Sequence, residues 1–187
     1  LHMENFNSLG LNKDIIRNLT NLKLIKPTPI QSKAIEPALQ GRDILGSAHT
    51  GTGKTAAFGI PLIQKLIENR KLSALILTPT RELANQVHLS ILDILGKKIN
   101  IKSTLIIGGE SMNKQVNQLK IFPRIIIGTP GRINDHLVRG NLRLDRTRFL
   151  VLDEMDRMLD MGFRIQIEKI LKFLPKIKQT LLFSATF

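Results

Sequence analysis

The sequence predicts an α/β domain with a mainly parallel central sheet and helices on both faces, on three observations. Six short runs rich in Leu, Ile and Val recur along the 187 residues, each suited to a strand buried on both sides. Helical patterns fill the intervals, and such alternation is the signature of parallel crossovers. Residues suited to ligand chemistry stand directly after the strands, where an open parallel sheet forms its binding crevice.

In order, the strand runs are residues 43–46, 74–77, 104–107, 125–127, 149–152 and 180–183. Helical patterns cover 55–68, 81–95, 112–119 and 165–174, and a further helix over 157–163 follows an acidic cluster, with Met158, Leu159 and Phe163 as its packing residues. Two more helices, 12–19 and 30–39, precede the first strand and are separated by a turn at Pro27-Thr28-Pro29. No repeat, low-complexity tract or linker interrupts this order, so 1–187 reads as one domain with an N-terminal region over 4–41. Leu1-His2-Met3 reads as a tag remnant. The stop at Phe187, just after a strand, reads as the end of a fragment.

Composition narrows the function. Aromatic residues are 4% of the chain, with no Trp or Tyr, so the core is aliphatic and base-stacking platforms are a poor route to nucleic acid. The absence of cysteine excludes disulfides, thiolate metal sites and a cysteine nucleophile, and fits the cytoplasm. A net charge of +13 favours a polyanion, nucleic acid ahead of a membrane surface; mere solubility is the alternative. No apolar run approaches the ~20 residues of a membrane span.

Ala48-His49-Thr50-Gly51-Thr52-Gly53-Lys54-Thr55 follows the first strand and opens a helix, the context of a phosphate-binding loop. Its glycines turn backbone N–H groups toward one anion, Lys54 reaches the terminal phosphates, and the Thr55 hydroxyl holds Mg²⁺. Ala48 stands where the strict pattern begins with Gly. Val151-Leu152 runs straight into Asp153-Glu154-Met155-Asp156. Such carboxylates suit the acidic first turn of a helix. Beside a phosphate loop they also suit a cation and a proton-transfer task, with Asp153 on the metal and Glu154 on the attacking water. No Asn-Lys-x-Asp guanine reader is present, so ATP is the nucleotide expected. None of the four histidines stands in a metal-ligand or triad arrangement.

These strings, in this order, resemble the first of the two RecA-like domains of a DEAD-box ATP-dependent RNA helicase of bacterial type, over essentially the whole chain. The resemblance implies that Pro27-Thr28-Pro29-Ile30-Gln31 reads adenine through Gln31, with Phe6, Leu24, Lys26 and Thr28 in the same nucleotide-binding set. Leu24 stands where the family commonly has an aromatic ring. It implies that Pro79-Thr80-Arg81, Gly108-Gly109 and Thr129-Pro130-Gly131-Arg132 touch the RNA sugar–phosphate backbone. Helix N-termini, glycines and arginines are what a sequence-blind phosphate track needs. Thr78 is the expected N-cap of the helix over 81–95, with Pro79 in its first turn. Ser184 and Thr186 are implied to bond Asp156 and couple hydrolysis to strand separation; Met155 replaces the family's Ala. The implied partners are ATP, Mg²⁺, RNA and a second RecA-like domain absent from this chain, in a monomer. Two rivals remain at this level: a P-loop ATPase not acting on nucleic acid, and a non-enzymatic RNA-binding module.

Overall fold

The computed structural model describes residues 5–48 and 53–186. The positions 1–3 read as a tag remnant, and His49, Thr50, Gly51 and Thr52 of the phosphate loop, lie outside the described residues. Six strands form one sheet: β1 (Ile44–Ser47), β2 (Ser73–Leu77), β3 (Ser103–Ile106), β4 (Ile125–Gly128), β5 (Thr147–Leu152) and β6 (Gln179–Ser184). Their order is β1-β6-β5-β2-β4-β3, and every pairing is parallel.

Side-chain alternation sorts the apolar residues into two cores. Ala74, Ile76, Ile125, Ile127, Val151 and Phe183 face one core, and Leu75, Leu77, Ile126, Leu150 and Leu152 face the other. Because both faces are buried, the strands read as continuous apolar runs. The first core is closed by α1 (Lys13–Asn21), α2 (Pro29–Leu39), α3 (Lys54–Glu68) and α4 (Arg81–Leu95). The second is closed by α5 (Met112–Lys120), α6 (Pro130–Val138), α7 (Met155–Asp160) and α8 (Arg164–Phe173).

Capping chemistry sets the helix starts. α2 begins with a capping box, in which the Thr28 hydroxyl accepts from the Gln31 N–H and the Gln31 side chain accepts from the Thr28 N–H, with Pro29 in the first turn. α1 is held to the far end of α4 by Asn18, whose Nδ2 donates to Ile94 O at 2.7 Å and Leu95 O at 3.1 Å. These bonds make the N-terminal segment part of the first core, which also takes in Phe6, Ile15, Leu19 and Ile35.

Three details differ from the sequence reading. The N-cap of α4 is Thr80, whose hydroxyl accepts from the Leu83 N–H at 3.1 Å; Thr78 instead continues the sheet by donating its N–H to Gly128 O. α6 is a helix whose own pattern was not singled out in the sequence. Its Pro-Gly opening hides the pattern, but Ile133 and Leu137, four apart, both point inward. In α7 Met158 is buried but Leu159 is 44% exposed, since a six-residue helix lying on a sheet turns only one face inward.

Candidate functional site

Because the sheet is wholly parallel, the carboxyl ends of all six strands gather along one edge. Gly53 caps α3 there with φ +79°, in the left-handed region. A Cβ at Gly53 would lie 2.6 Å from Gln31 Nε2 and 2.8 Å from Thr28 Oγ1, so both conformation and close approach demand glycine. Gln31 Nε2 donates to Gly53 O at 3.0 Å, and its Oε1 accepts from the Thr28 N–H at 3.0 Å. The Pro27–Gln31 string is thereby tied to the start of α3 through one buried amide.

Lys54 and Asp153 are 6% and 2% exposed, and their Nζ and Oδ1 atoms stand 2.8 Å apart. Glu154 Oε2 lies 3.4 Å from the same ammonium, and Glu154 Oε1 lies 3.7 Å from Arg157. At that distance Lys54 is both the counter-charge and a hydrogen-bond donor of the Asp153 carboxylate. Burial pushes the Asp153 carboxyl above its ordinary range; Lys54 opposes that, while the Glu154 charge adds to it. A buried ion pair is a poor source of stability, and functional sites are where such groups collect.

Glu154 adopts φ 53° and ψ 54°, a left-handed conformation that costs a non-glycine residue roughly 1–3 kcal/mol. Asp153 still belongs to the sheet, donating its N–H to Leu77 O at 2.9 Å. The strain therefore falls at the first residue past the ladder. A cavity of about 470 Å³ opens in front of these groups, lined by Leu24, Gln31, Gly53, Lys54, Thr55, Asp153 and Glu154. Gln86, Ser90 and Asp93 of α4 line it as well, and no motif pointed to them. Phe6 is buried in the first core and Lys26 is exposed; neither is a lining residue. Ala48 is buried, and its N–H donates to Ser184 O at 3.1 Å, joining the start of the phosphate loop to the end of β6.

Asp156 meets the end of β6 from the other side. Thr186 Oγ1 donates to Asp156 Oδ2 at 3.3 Å, and Ser184 Oγ donates to Thr186 O at 2.6 Å while also lying beside the carboxylate. Partial burial acts to raise the Asp156 pKa. Bonds from the Arg157 and Ala185 N–H groups and the two hydroxyls outweigh it and hold the carboxyl below its ordinary range.

A second cleft, of about 730 Å³, is lined by Pro79, Thr80, Arg81, Gly108, Gly109, Thr129, Gly131 and Arg132, together with Arg157 and Phe163. Pro130 is buried at the start of α6. The Arg81 guanidinium lies against the glycine pair: a Cβ on Gly109 would come 2.5 Å from its Nη1.

Arg132 is held by a network that sequence reasoning missed. Its Nη1 donates to Glu110 O and to Gln115 Oε1, each at 3.0 Å. Gln115 is buried, donates to Ile107 O at 2.8 Å, and meets His136 Nε2 at 2.8 Å. His136 Nδ1 stands 3.2 Å from Asn141 Nδ2. The pattern closes if His136 is neutral with its proton on Nε2, donating to Gln115 and accepting from Asn141. Burial, reinforced by the nearby Arg132 charge, lowers its pKa in keeping with that state. Gln115 and His136 lie 21 residues apart on different helices, so no local pattern could have paired them.

Comparison with known proteins agrees with this arrangement. The family model described as DEAD/DEAH box helicase matches residues 28–187. The chain is 46% identical over 185 residues to the DEAD-box ATP-dependent RNA helicase CshA of Geobacillus kaustophilus, covering 98% of this chain and 39% of that protein. It is also 46% identical to RhpA of Helicobacter pylori, another DEAD-box ATP-dependent RNA helicase, covering 99% of this chain and 37% of that one. A crystal structure of a DEAD box protein from the hyperthermophile Methanococcus jannaschii superposes on the whole chain with a TM-score of 0.92 and 45% identity, and the chain spans 51% of it. With the family model matched over residues 28–187 and relatives 46% identical along nearly the whole chain, the chain belongs to the DEAD/DEAH box helicase family.

Proposed function

We propose that this domain binds Mg-ATP in the first cavity and the RNA sugar–phosphate backbone in the second cleft. With a second RecA-like domain of the same protein it couples ATP hydrolysis to unwinding or remodelling of RNA. The observation that carries the coupling is that Leu83 and Gln86, in the first two turns of α4, line both spaces. The relatives' greater length supports the second domain: the chain spans 39% and 37% of the two named above. The protein acts as a cytoplasmic monomer in this reading, in keeping with a cysteine-free composition.

The residues divide the work. Lys54 and the N–H groups opening α3 suit the phosphates; Leu24 and Gln31 border the space for the base. Asp153, a carboxylate buried at the carboxyl end of β5 beside the cavity, fits a cation, and Thr55 is its partner in holding Mg²⁺. Among the described residues no group of three or more His, Asp and Glu forms a metal cage. That suits a cation held by few protein ligands and by phosphates. When bound, Mg²⁺ neutralises phosphate charge. Glu154 orients the attacking water and takes its proton, and Asp156 carries the state of this site to Ser184 and Thr186. Arg81 and Arg132 hold RNA phosphates.

ATP hydrolysis by the full-length protein, assayed with RNA, with DNA and with neither, tests the reading. Stimulation by RNA is expected, with little turnover by the 187-residue chain alone, because an arginine finger from a second domain is worth about 10³–10⁵ in rate. Turnover indifferent to RNA would remove the nucleic-acid half of the proposal.

Gln115 is expected to matter only through Arg132. Gln115→Leu removes the acceptor shared by Arg132 and His136 and leaves Ile107 O unpaired, at about 1–3 kcal/mol of stability. RNA affinity should fall several-fold while nucleotide affinity is unchanged, as read by fluorescence anisotropy with labelled RNA and labelled nucleotide. Equal loss of both would make Gln115 merely structural.

A further inference from the structure

Much of the positive charge of this chain lies away from the two clefts. In a wholly parallel sheet the segments that enter the strands gather on the edge opposite those that leave them. The six entering segments, between a preceding helix and its strand, hold 12 of the 28 Lys and Arg and only two of the 15 Asp and Glu. The segments that leave the strands, where both clefts open, hold no Lys or Arg. The cations at the cleft edge, Lys54, Arg81, Arg132 and Arg157, come from the first turns of helices instead.

The basic edge is exposed and unneutralised. Ten of its 12 cations are exposed, Arg124 and Lys178 being half-buried. Among the described residues only Arg143 has a carboxylate partner, Asp145 at 3.5 Å on the surface. Arg70 and Lys71 precede β2 and Lys97, Lys98 and Lys102 precede β3, on either side of β4. The β4 entry adds Phe122, 81% exposed and held at φ 53°. Crowded like charges repel one another, and an external polyanion relieves that.

We infer that the edge of the sheet opposite the two clefts is a second nucleic-acid site, an ATP-independent tether for the phosphate backbone of duplex RNA. Six strands about 4.8 Å apart make an edge about 24 Å wide. Over that length a nucleic-acid duplex presents roughly 14 phosphate charges, comparable to the exposed cations facing it. A single exposed aromatic is no stacking track for single strands, whereas duplex RNA is recognised by shape and backbone. The choice of RNA as the polyanion rests on the function proposed above; the site itself rests on charge and topology.

The test uses the 187-residue chain without nucleotide, a fluorescein-labelled blunt RNA duplex, and anisotropy over a range of KCl concentrations. The quadruple variant Arg70→Glu, Lys71→Glu, Lys97→Glu, Lys98→Glu is expected to bind the duplex at least tenfold more weakly. Its salt dependence should be shallower by about 0.9 in log–log slope for each phosphate it no longer neutralises. The corresponding four Gln substitutions should give a smaller loss of the same kind with an unchanged melting temperature. Arg81→Glu with Arg132→Glu, which alters the cleft, should weaken nucleotide-free duplex binding less than the edge variant does. Wild-type affinity and slope in both edge variants would overturn the inference, leaving the charge to solubility. Loss in the Arg81/Arg132 variant alone would also overturn it, while the cleft reading stood. So would edge variants that lose binding to phosphatidylserine vesicles but keep the RNA. Failure of the function proposed above is read separately, in RNA-independent ATP hydrolysis by the full-length protein.

Discussion

Glu154→Gln in the full-length protein is expected to keep ATP and RNA binding and to slow hydrolysis by roughly 10²- to 10⁴-fold, the usual worth of a positioned acid–base group. Gln has the same length and keeps an oxygen for orienting water, so what it removes is the charge and the basicity. Glu154 sits at the first residue beyond the β5 ladder in a left-handed conformation, and Gln bears the same backbone strain. A loss of rate cannot then be attributed to a relaxed turn. Single-turnover hydrolysis at saturating ATP and RNA, beside nucleotide and RNA titrations, makes the measurement. Turnover near wild type would take Glu154 out of its assigned role.

Lys54→Ala is expected to weaken nucleotide binding by roughly 10- to 100-fold, the worth of one hydrogen bond to a charged group. It should also lower stability, because Lys54 is the ammonium beside both Asp153 and Glu154, at 2.8 and 3.4 Å. Deleting one member of a buried pair costs about 3–5 kcal/mol when the other charge stays stranded. Asp153 is already pushed upward by burial, so it escapes part of that cost by taking up a proton. Fluorescent-nucleotide titration and thermal unfolding of the 187-residue chain measure the two effects. Unchanged nucleotide affinity would make the loop vestigial and favour an RNA-binding module without an ATPase.

Much of the fold was legible because strand and helix patterns are local. Leu75 and Ile76 alternate between two cores in register with Leu150 and Val151 across the sheet, and the apolar runs alone announced them. The misreadings have local causes too. Thr78 and Thr80 are both cap residues in sequence, and only the pairing of Thr78 with Gly128 O leaves the cap to Thr80. The helix after Thr129 was hidden by Pro130-Gly131. At the site, residues adjacent in sequence were easy to group, whereas Gln86, Ser90 and Asp93 carry no motif and reach the cavity only through the placement of α4. Met155 is half-buried against the second core, which explains how a long flexible side chain fits where the family has Ala.

The sequence by itself determined the alternation of elements, hence a parallel sheet with the glycine-rich loop, the acidic turn and the strings at 79–81, 108–109 and 129–132 on one edge. Periodicity and the handedness of crossovers leave little other choice. Tertiary structure alone decided the rest: that Lys54 lies between two carboxylates, that Arg132 leans on Gln115 and His136, and that Gln31 bonds to Gly53. Each depends on how helices settle on the sheet and brings together side chains from separate elements, and no local pattern carries that information. The strand order and exposed loops likewise turned an overall charge of +13 into a basic edge facing away from both clefts.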